Sequence, residues 1–288
     1  MQHRNGNVFS IDIRSDFGFF GVMQTYLYIL LHCEKNHLIP VIRFSGKNYS
    51  CEQRNRNWFE NYFYCKVPPP HEASGIAPVR TIHTSVIMNI HDLGLREKYD
   101  RVITVDIASG LLEKYMGVKE EILSEVDGFI KEAFGGETLG VHYRGTDKAG
   151  EAPRVEWATV RSEVLSFLGK VRTVKTILLA SDEPEFIEYF MACSWPVKVV
   201  QYNCAEIYRG GVPTHKTAGD GYQKGKEALI TCLLLSRCEY CIKTSSYLSA
   251  WSKIFNPQLK VMMLNRPDEH ANWFPDREIW NHQYKLAG

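Results

Sequence analysis

The sequence predicts an α/β protein built on parallel sheets, and two observations support this fold class. Short apolar segments, typical of buried β-strands, alternate with longer segments of helical periodicity along the 288 residues. The alternation is present at residues 8–44 and is clearer from residue 136 onward. Because a strand, a crossover helix and a second strand form the repeating unit of a parallel sheet, we expect two α/β domains in a chain of this length.

The amino-terminal segment predicts one β-α-β unit. Residues 8–13 alternate in polarity like a strand, the glycines within residues 18–21 indicate a turn, and residues 22–31 are largely apolar. Residues 38–44 form the next predicted strand. A membrane span over residues 17–33 is the competing interpretation, but that segment falls short of the roughly 20 apolar residues that a span needs, so we expect no transmembrane segment.

The rest of the first half contains weaker signals. Residues 67–83 carry three consecutive prolines and predict an extended loop, and residues 101–105 predict a strand. Residues 117–134 have helical periodicity and end at Gly135-Gly136. We place the domain boundary at this break, which gives domains of residues 1–135 and 136–288.

The second half has a regular strand and helix alternation. Each predicted strand is short and apolar, and each following helix is longer. The predicted elements are strands at 138–142, 176–180, 197–200 and 239–243, helices at 155–170, after 184, at 227–237 and from 247, and a long polar loop at 209–225.

The richest cluster of reactive side chains follows the strand at residues 138–142. It contains His142, Arg144, Asp147, Lys148 and Glu151. Open α/β sheets bind ligands beyond the carboxyl ends of their strands, and a guanidinium pairs well with phosphate or carboxylate oxygens. The segment is therefore a candidate anion site, with Asp147 or Glu151 as candidate proton acceptor. A solvated loop with local ion pairs is the alternative.

Two further polar segments follow predicted strands. Asp182 and Glu183 come after the strand at 176–180, and residues 244–246 form a hydroxyl-rich turn before a helix. Such a turn offers hydroxyls and backbone N–H groups to a phosphate. Both segments also fit plain helix caps, which need no function.

Composition excludes several classes of protein. Apolar residues make up 44% and charged residues 23%, which is ordinary for a globular protein, and the net charge of +1 gives no general attraction to nucleic acid. The eight cysteines are dispersed, and Cys238 and Cys241 form a C-x-x-C with no second pair nearby. Zinc or redox use is therefore disfavoured. Residues 1–7 lack the apolar core of a secretory signal, so we expect a cytoplasmic protein with reduced thiols.

Three ordered motifs carry a family resemblance. Residues 142–152 read H-Y-R-G-T-D-K-A-G-E-A, residues 180–184 read A-S-D-E-P, and residues 233–246 read L-L-L-S-R-C-E-Y-C-I-K-T-S-S. They resemble the H-x-R-x-T-D-K, A-T-D-D-P and T-x-S-S motifs of the core α1,6-fucosyltransferases and their rhizobial and protein O-fucosyltransferase relatives. The first motif is one residue shorter before its glutamate than in that family. The resemblance covers residues 136–257, and in the first half only the turn and helix at 18–31.

The resemblance implies an α/β, GT-B-like fold with two Rossmann-type domains facing a cleft. Residues 1–135 would lie on the acceptor side, and residues 136–288 would bind the nucleotide sugar. The partners would be a nucleotide sugar and a glycan acceptor. The sequence lacks the Asp-x-Asp motif that clamps a metal and a diphosphate in other glycosyltransferases, so we expect no metal and no cofactor.

The same resemblance implies roles for the donor-side residues. Arg144 would neutralise the donor diphosphate, since a fixed guanidinium stabilises the negative charge that grows on the leaving group. His142 would lie near the nucleoside. Thr244, Ser245 and Ser246 would line the phosphate pocket.

Catalysis would need a base that takes the proton of the acceptor hydroxyl. Glu151 best matches the family's catalytic glutamate, with Asp147 as the fallback, and Lys148 would position the base and the donor. Asp182 and Glu183 would complete the donor site.

The donor nucleotide is less certain, because Thr231 stands where the family has an aspartate that recognises guanine. A hydroxyl cannot accept two N–H donors as a carboxylate does. GDP-fucose is the first expected donor, and a UDP-sugar such as UDP-xylose is the alternative. The basic residues His215, Lys216, Lys224 and Lys226 are candidates for compensating contacts.

The sequence thus predicts an inverting, metal-independent glycosyltransferase that moves a sugar to a glycan hydroxyl. A degenerate carbohydrate-binding protein without turnover is the non-enzymatic alternative. A kinase or ligase is disfavoured because no Walker loop is present. Four aromatic residues are either core residues or acceptor-stacking residues: Trp58, Phe59, Tyr62 and Phe63.

Overall fold

The structure is a computed structural model. It describes residues 8–14, 17–46, 48–50, 57–67, 80–83 (backbone only), 94–145, 150–204 and 219–283. The chain divides into two compact units, Met1–Lys119 with Gly219–Gly225, and Glu120–Ala218 with Lys226–Gly288. The first unit ends before the Gly135-Gly136 break, because the helix Glu120–Ala133 clusters with the second unit. The division of acceptor and donor binding between domains stays a prediction.

The first unit contains the predicted β-α-β unit. In its parallel sheet, β1 (Val8–Arg14) lies between β2 (Ile39–Phe44) and β4 (Arg80–His83). β3 and β5 form a separate antiparallel pair. Its elements are β1 (Val8–Arg14), α1 (Phe19–Lys35), β2 (Ile39–Phe44), a 3-10 helix (Trp58–Asn61), β3 (Phe63–Cys65), β4 (Arg80–His83), α2 (Leu95–Tyr99), α3 (Val105–Tyr115) and β5 (Met116–Val118).

The strand predicted at 101–105 and the end of the loop predicted at 67–83 were wrong. Residues 101–105 form a turn and the start of α3 instead of a strand, because the Thr104 side chain accepts a hydrogen bond from the Ile107 N–H at 3.2 Å and caps the helix. The end of the predicted loop at 67–83 is β4, which pairs with β1, while residues 68–79 lie outside the described residues. The helical segment predicted at 117–134 is confirmed from Glu120 to Ala133.

The aromatic residues Trp58, Phe59, Tyr62 and Phe63 form part of the core of the first unit. Each is at most 2% exposed, and the Phe59 ring lies 5.3 Å from the ring of Phe44 in a stacked arrangement. The core interpretation of these residues is therefore confirmed. Among the described residues, no helix is long and apolar enough to cross a membrane.

The second unit contains a five-stranded parallel sheet in the order β10-β9-β6-β7-β8. The α/β prediction is confirmed. Its elements are α4 (Glu120–Ala133), β6 (Thr138–Tyr143), α5 (Trp157–Lys170), β7 (Thr176–Ser181), α6 (Pro184–Ala192), β8 (Lys198–Gln201), α7 (Gly221–Ser236) from Lys226 onward, β9 (Tyr240–Lys243), α8 (Tyr247–Phe255), β10 (Lys260–Met263), a 3-10 helix (Glu269–Ala271) and α9 (Asp276–His282). Helix α7 begins inside the loop predicted at 209–225, of which residues 205–218 lie outside the described residues.

Strands β6 and β7 are buried along their whole length, as their continuous apolar sequences predict. Leu139, Val141, Ile177 and Leu179 are at most 1% exposed, and burial of each such side chain contributes about 1.5–3 kcal/mol relative to exposure. Gly140 allows α7 to pack closely, since a Cβ there would lie 2.8 Å from Leu235 Cδ2. This core fixes β6 between β9 and β7.

Candidate functional site

The carboxyl edge of the five-stranded sheet brings three of the predicted polar segments together. Tyr143 of β6 is paired with Ser181 of β7, and His142 of β6 is paired with Lys243 of β9. The next residues of these neighbouring strands therefore leave the sheet side by side. The three segments are far apart in the sequence, and they become neighbours because of the strand order.

Arg144 is held at this edge by two neighbouring segments. Its Nη1 lies 2.7 Å from Asp182 Oδ2, and its backbone N–H donates to Thr244 Oγ1 at 2.8 Å. The Gly145 N–H donates to the other Asp182 oxygen at 3.2 Å. The Arg144 side chain is 19% exposed and that of Asp182 is 6% exposed. Asp182 thus orients a mostly buried guanidinium that still reaches the protein surface.

His142 is buried and neutral. Burial, together with the nearby positive charges of Lys243 and Arg144, lowers its pKa from the ordinary 6.5 to about 3. Its Nδ1 is buried and has no hydrogen-bond partner within the described part of the chain. An unpaired buried polar atom costs about 1–3 kcal/mol, so such an atom beside a cationic group is a signal for a bound ligand.

The two carboxylate oxygens of Glu183 differ in their contacts. Oε1 accepts a hydrogen bond from Arg154 Nη2 at 2.6 Å, which raises the pKa of the guanidinium, while Oε2 is buried and has no partner among the described residues. A Cβ on Gly145 would overlap with Oε2, so only glycine permits this approach. Arg154 was missed by the sequence analysis, although it follows the reactive segment directly.

The three residues of the hydroxyl turn, residues 244–246, make different contacts. Thr244 accepts from the Arg144 backbone. Ser245 uses both of its donors inside the protein, since its N–H donates to Asn265 Oδ1 at 2.7 Å and its Oγ donates to Asp276 Oδ2 at 2.8 Å. The Ser246 hydroxyl precedes α8 without making a side-chain cap and has no partner among the described residues. Ser246 therefore offers a hydroxyl donor at this edge, whereas Ser245 anchors the turn.

A buried ion pair lies beneath this turn. Lys243 Nζ is 2.5 Å from Asp276 Oδ1, and the Lys243 side chain has no exposed surface. Asp276 comes from α9, which the sequence analysis did not predict. The sequence signal for this ion pair was the position of Lys243 at the end of the apolar strand β9, because a buried ammonium group requires a partner.

The remaining predicted residues make other contacts. Lys226 Nζ lies 2.6 Å from Glu125 Oε2, and the Thr231 hydroxyl lies 3.5 Å from Cys204 Sγ. The Glu151 backbone carbonyl accepts from the Asp268 N–H at 2.8 Å. Four predicted residues lie outside the described residues: Asp147, Lys148, His215 and Lys216. Lys224 has a buried side chain and belongs to the first unit.

The C-x-x-C cysteines are core residues. Cys238 and Cys241 are buried, and burial raises the pKa of Cys238 well above the ordinary value and that of Cys241 to about 12. Both thiols are therefore protonated at neutral pH. Within the described ranges, no three His, Cys, Asp or Glu side chains are grouped as metal ligands.

Comparison with known proteins gives matches at the level of structure only. No protein-family model matches the sequence, and no curated protein matches it. The solved structures that match include NodZ α-1,6-fucosyltransferase co-crystallised with GDP, with 15% identity, a TM-score of 0.56 and coverage of 86% of this chain and 93% of that chain. A variant of Arabidopsis thaliana FUT1 in complex with GDP has 10% identity, a TM-score of 0.53 and coverage of 96% and 74%. POFUT1 in complex with GDP has 10% identity, a TM-score of 0.51 and coverage of 90% and 99%. The chain therefore resembles the fucosyltransferase superfamily in fold.

Proposed function

We propose that the protein is a glycosyltransferase that uses a nucleotide-sugar donor, with GDP-fucose as the first candidate donor. The observation that carries this proposal is the arrangement of Arg144, His142 and Glu183 at the carboxyl edge of the second sheet, where buried atoms of His142 and Glu183 have no partner in the described ranges. The fold supports it, since the structural neighbours were solved with GDP.

In the proposed reaction, Arg144 stabilises the leaving nucleoside diphosphate. Negative charge grows on the diphosphate as the glycosidic bond breaks, and a guanidinium already oriented by Asp182 needs little rearrangement to meet it. The Ser246 hydroxyl and the O–H of Thr244 add neutral donors. We propose that this set supports transfer without a metal ion.

The acceptor hydroxyl must lose a proton as it attacks the sugar. We assign the base to Glu151, with Asp147 as the alternative and Lys148 as a positioning group. A single displacement with one base inverts the anomeric centre. The acceptor is proposed to be a glycan.

A UDP-sugar is the second candidate donor, and a specific observation favours it. The Thr231 hydroxyl lies 3.5 Å from Cys204 Sγ in a buried environment, so this position carries a small neutral group. Thr231 has no carboxylate that could accept the paired N–H donors of guanine.

Calorimetric titration with GDP and with UDP, each in EDTA, tests the proposal. Preferential GDP binding supports a fucosyltransferase-like donor site, and preferential UDP binding redirects the donor to UDP-xylose and related sugars. Binding of neither nucleotide would contradict the proposal and favour a carbohydrate-binding protein without turnover.

Donor turnover then tests the base. We expect Glu151→Gln to reduce sugar transfer by about 10²–10⁴-fold while nucleotide affinity stays within twofold, because general-base catalysis contributes about that factor. Glu156→Gln, a change of an exposed glutamate, is the matched control. Full activity of Glu151→Gln would move the assignment to Asp147.

A further inference from the structure

Asn265 lies at the carboxyl end of β10 and joins two segments of the candidate site. Its Oδ1 accepts the Ser245 N–H at 2.7 Å, and its Nδ2 donates to the Pro153 carbonyl at 2.8 Å. Because one partner is an obligatory donor and the other an obligatory acceptor, the backbone determines which way the amide points. One side chain thus connects the hydroxyl turn to the segment that carries Glu151.

The segment that carries Glu151 is held at two more points by residues that follow Asn265. The Asp268 N–H donates to the Glu151 carbonyl at 2.8 Å, and His270 Nε2 lies 3.2 Å from the Gly150 carbonyl oxygen. We call residues 265–270 the clasp. Its contacts to residues 150–153 are to backbone atoms, so the clasp defines the path of the main chain there.

The other end of this connection is rigid. Besides its bond to Asn265, Ser245 donates its hydroxyl to Asp276, whose second oxygen pairs with the buried Lys243. Buried charge-assisted hydrogen bonds of this type are the strong ones in proteins. The hydroxyl turn therefore serves as a fixed reference against which Asn265 places the 150–153 segment.

We infer that Asn265 is a positioning residue that couples the placement of the Glu151 segment to the hydroxyl turn. The inference rests on the proposed function, in which the turn binds the donor diphosphate and Glu151 is the base. The distance between base and donor would then depend on this amide. Misplacement of a catalytic group by about 1 Å lowers a rate by roughly 10²-fold, which makes such a connection important for turnover.

Two substitutions separate the two bonds of Asn265. Asn265→Asp keeps an oxygen that accepts from Ser245 but replaces the donor to Pro153 with an oxygen that repels the carbonyl. Asn265→Ala removes both bonds. Asn256→Asp is a matched control, because Asn256 also accepts from one backbone N–H, that of Gln258 at 3.0 Å, and donates to one carbonyl, that of Ser236 at 2.8 Å.

Hydrogen exchange of the full chain, measured with and without GDP, tests the coupling. In Asn265→Asp we expect exchange at residues 150–155 to rise about tenfold while residues 244–248 stay within twofold, because the loss of one hydrogen bond opens a local segment by about that factor. In Asn265→Ala both segments should exchange faster. GDP should slow exchange of residues 150–155 in the wild type and not in Asn265→Asp.

Kinetics give the second readout. Asn265→Asp should lower kcat by roughly 10–100-fold with the Kd for GDP within twofold, whereas Asn265→Ala should also weaken GDP binding. The inference is overturned if Asn265→Asp leaves residues 150–155 as protected as in the wild type, or if Asn256→Asp loosens them equally. If the wild type binds neither GDP nor UDP, the proposed function fails, while the exchange data without nucleotide still decide the coupling.

Discussion

The polar groups at the two edges of the second unit's sheet differ in their hydrogen bonding. At the amino edge, the Thr138 N–H donates to Glu239 Oε2 at 2.6 Å, and the Gly135 N–H donates to Thr176 Oγ1 at 3.1 Å. These bonds join the starts of three neighbouring strands. They are complete within the protein, as expected where polar groups serve stability.

At the carboxyl edge, two buried atoms have no hydrogen-bond partner among the residues that the structure describes. They are His142 Nδ1 and Glu183 Oε2, which lie beside the ion pair of Arg144 and Asp182. Within the described residues, the same strands carry paired groups at one end and unpaired groups at the other. This difference fits the proposal that a ligand binds at the carboxyl edge, and the four comparisons below test it.

The largest expected effect is on stability, at Lys243. Lys243→Met leaves Asp276 buried without its cation, and breaking such a pair costs about 3–5 kcal/mol of unfolding free energy. Denaturant unfolding measures it. Lys175→Met, an exposed change near the amino edge, should stay within about 0.5 kcal/mol. A loss below about 1 kcal/mol for Lys243→Met would show that the hydroxyl turn does not depend on this ion pair.

The second effect is on nucleotide affinity, at Arg144. Removing a charge-assisted contact to phosphate costs about 1.5–3 kcal/mol, so Arg144→Ala should weaken GDP binding by about 10–100-fold in calorimetry.

Glu239→Gln provides the comparison at the amino edge. This change weakens the bond to the Thr138 N–H and should lower the unfolding free energy by about 1 kcal/mol with no change in GDP affinity. If Arg144→Ala and Glu239→Gln altered GDP affinity equally, the distinction between the two edges would be refuted.

The third effect concerns the close approach of Gly145 and Glu183. Gly145→Ala places a methyl group where Glu183 Oε2 lies, so the carboxylate must move, at a cost of about 1–3 kcal/mol, and GDP affinity should fall with it. Gly150→Ala is the matched control, since nothing lies within 4 Å of a Cβ there. Thermal unfolding and calorimetry of both variants decide whether Glu183 needs this position.

The smallest effect is the pH dependence due to His142. Its folded-state pKa of about 3 lies below the ordinary 6.5, so the folded protein binds fewer protons than the unfolded chain between these values. Its stabilising contribution is complete above pH 6.5 and is lost as the pH falls toward 3. From pH 7.5 to 5.5 the wild type should lose about 1 kcal/mol more than His142→Gln.

Denaturant unfolding at the two pH values measures this difference. The exposed His282 provides the control, since His282→Gln should follow the wild type. Equal pH dependence of wild type and His142→Gln would show that His142 is not held neutral by burial.

The local sequence predicted an element correctly wherever the segment's own residue pattern determined its secondary structure. The apolar strands at Thr138–Tyr143 and Thr176–Ser181 were predicted closely, because buried parallel strands need continuous apolar residues. Residues 101–105 were misassigned, because an apolar segment of that length is compatible with either a strand or a helix start, and the Thr104 cap decided the outcome.

By itself, the sequence determined the α/β class, the strands of the second sheet and the polar segments that follow them, since these depend on local periodicity. Only the tertiary structure decided that Arg144 pairs with Asp182, that Lys243 is buried against Asp276 and that Asn265 joins Ser245 to Pro153. The physical reason is strand order. Contacts between residues far apart in the chain exist only once β6 is packed between β9 and β7, and no local pattern specifies that arrangement.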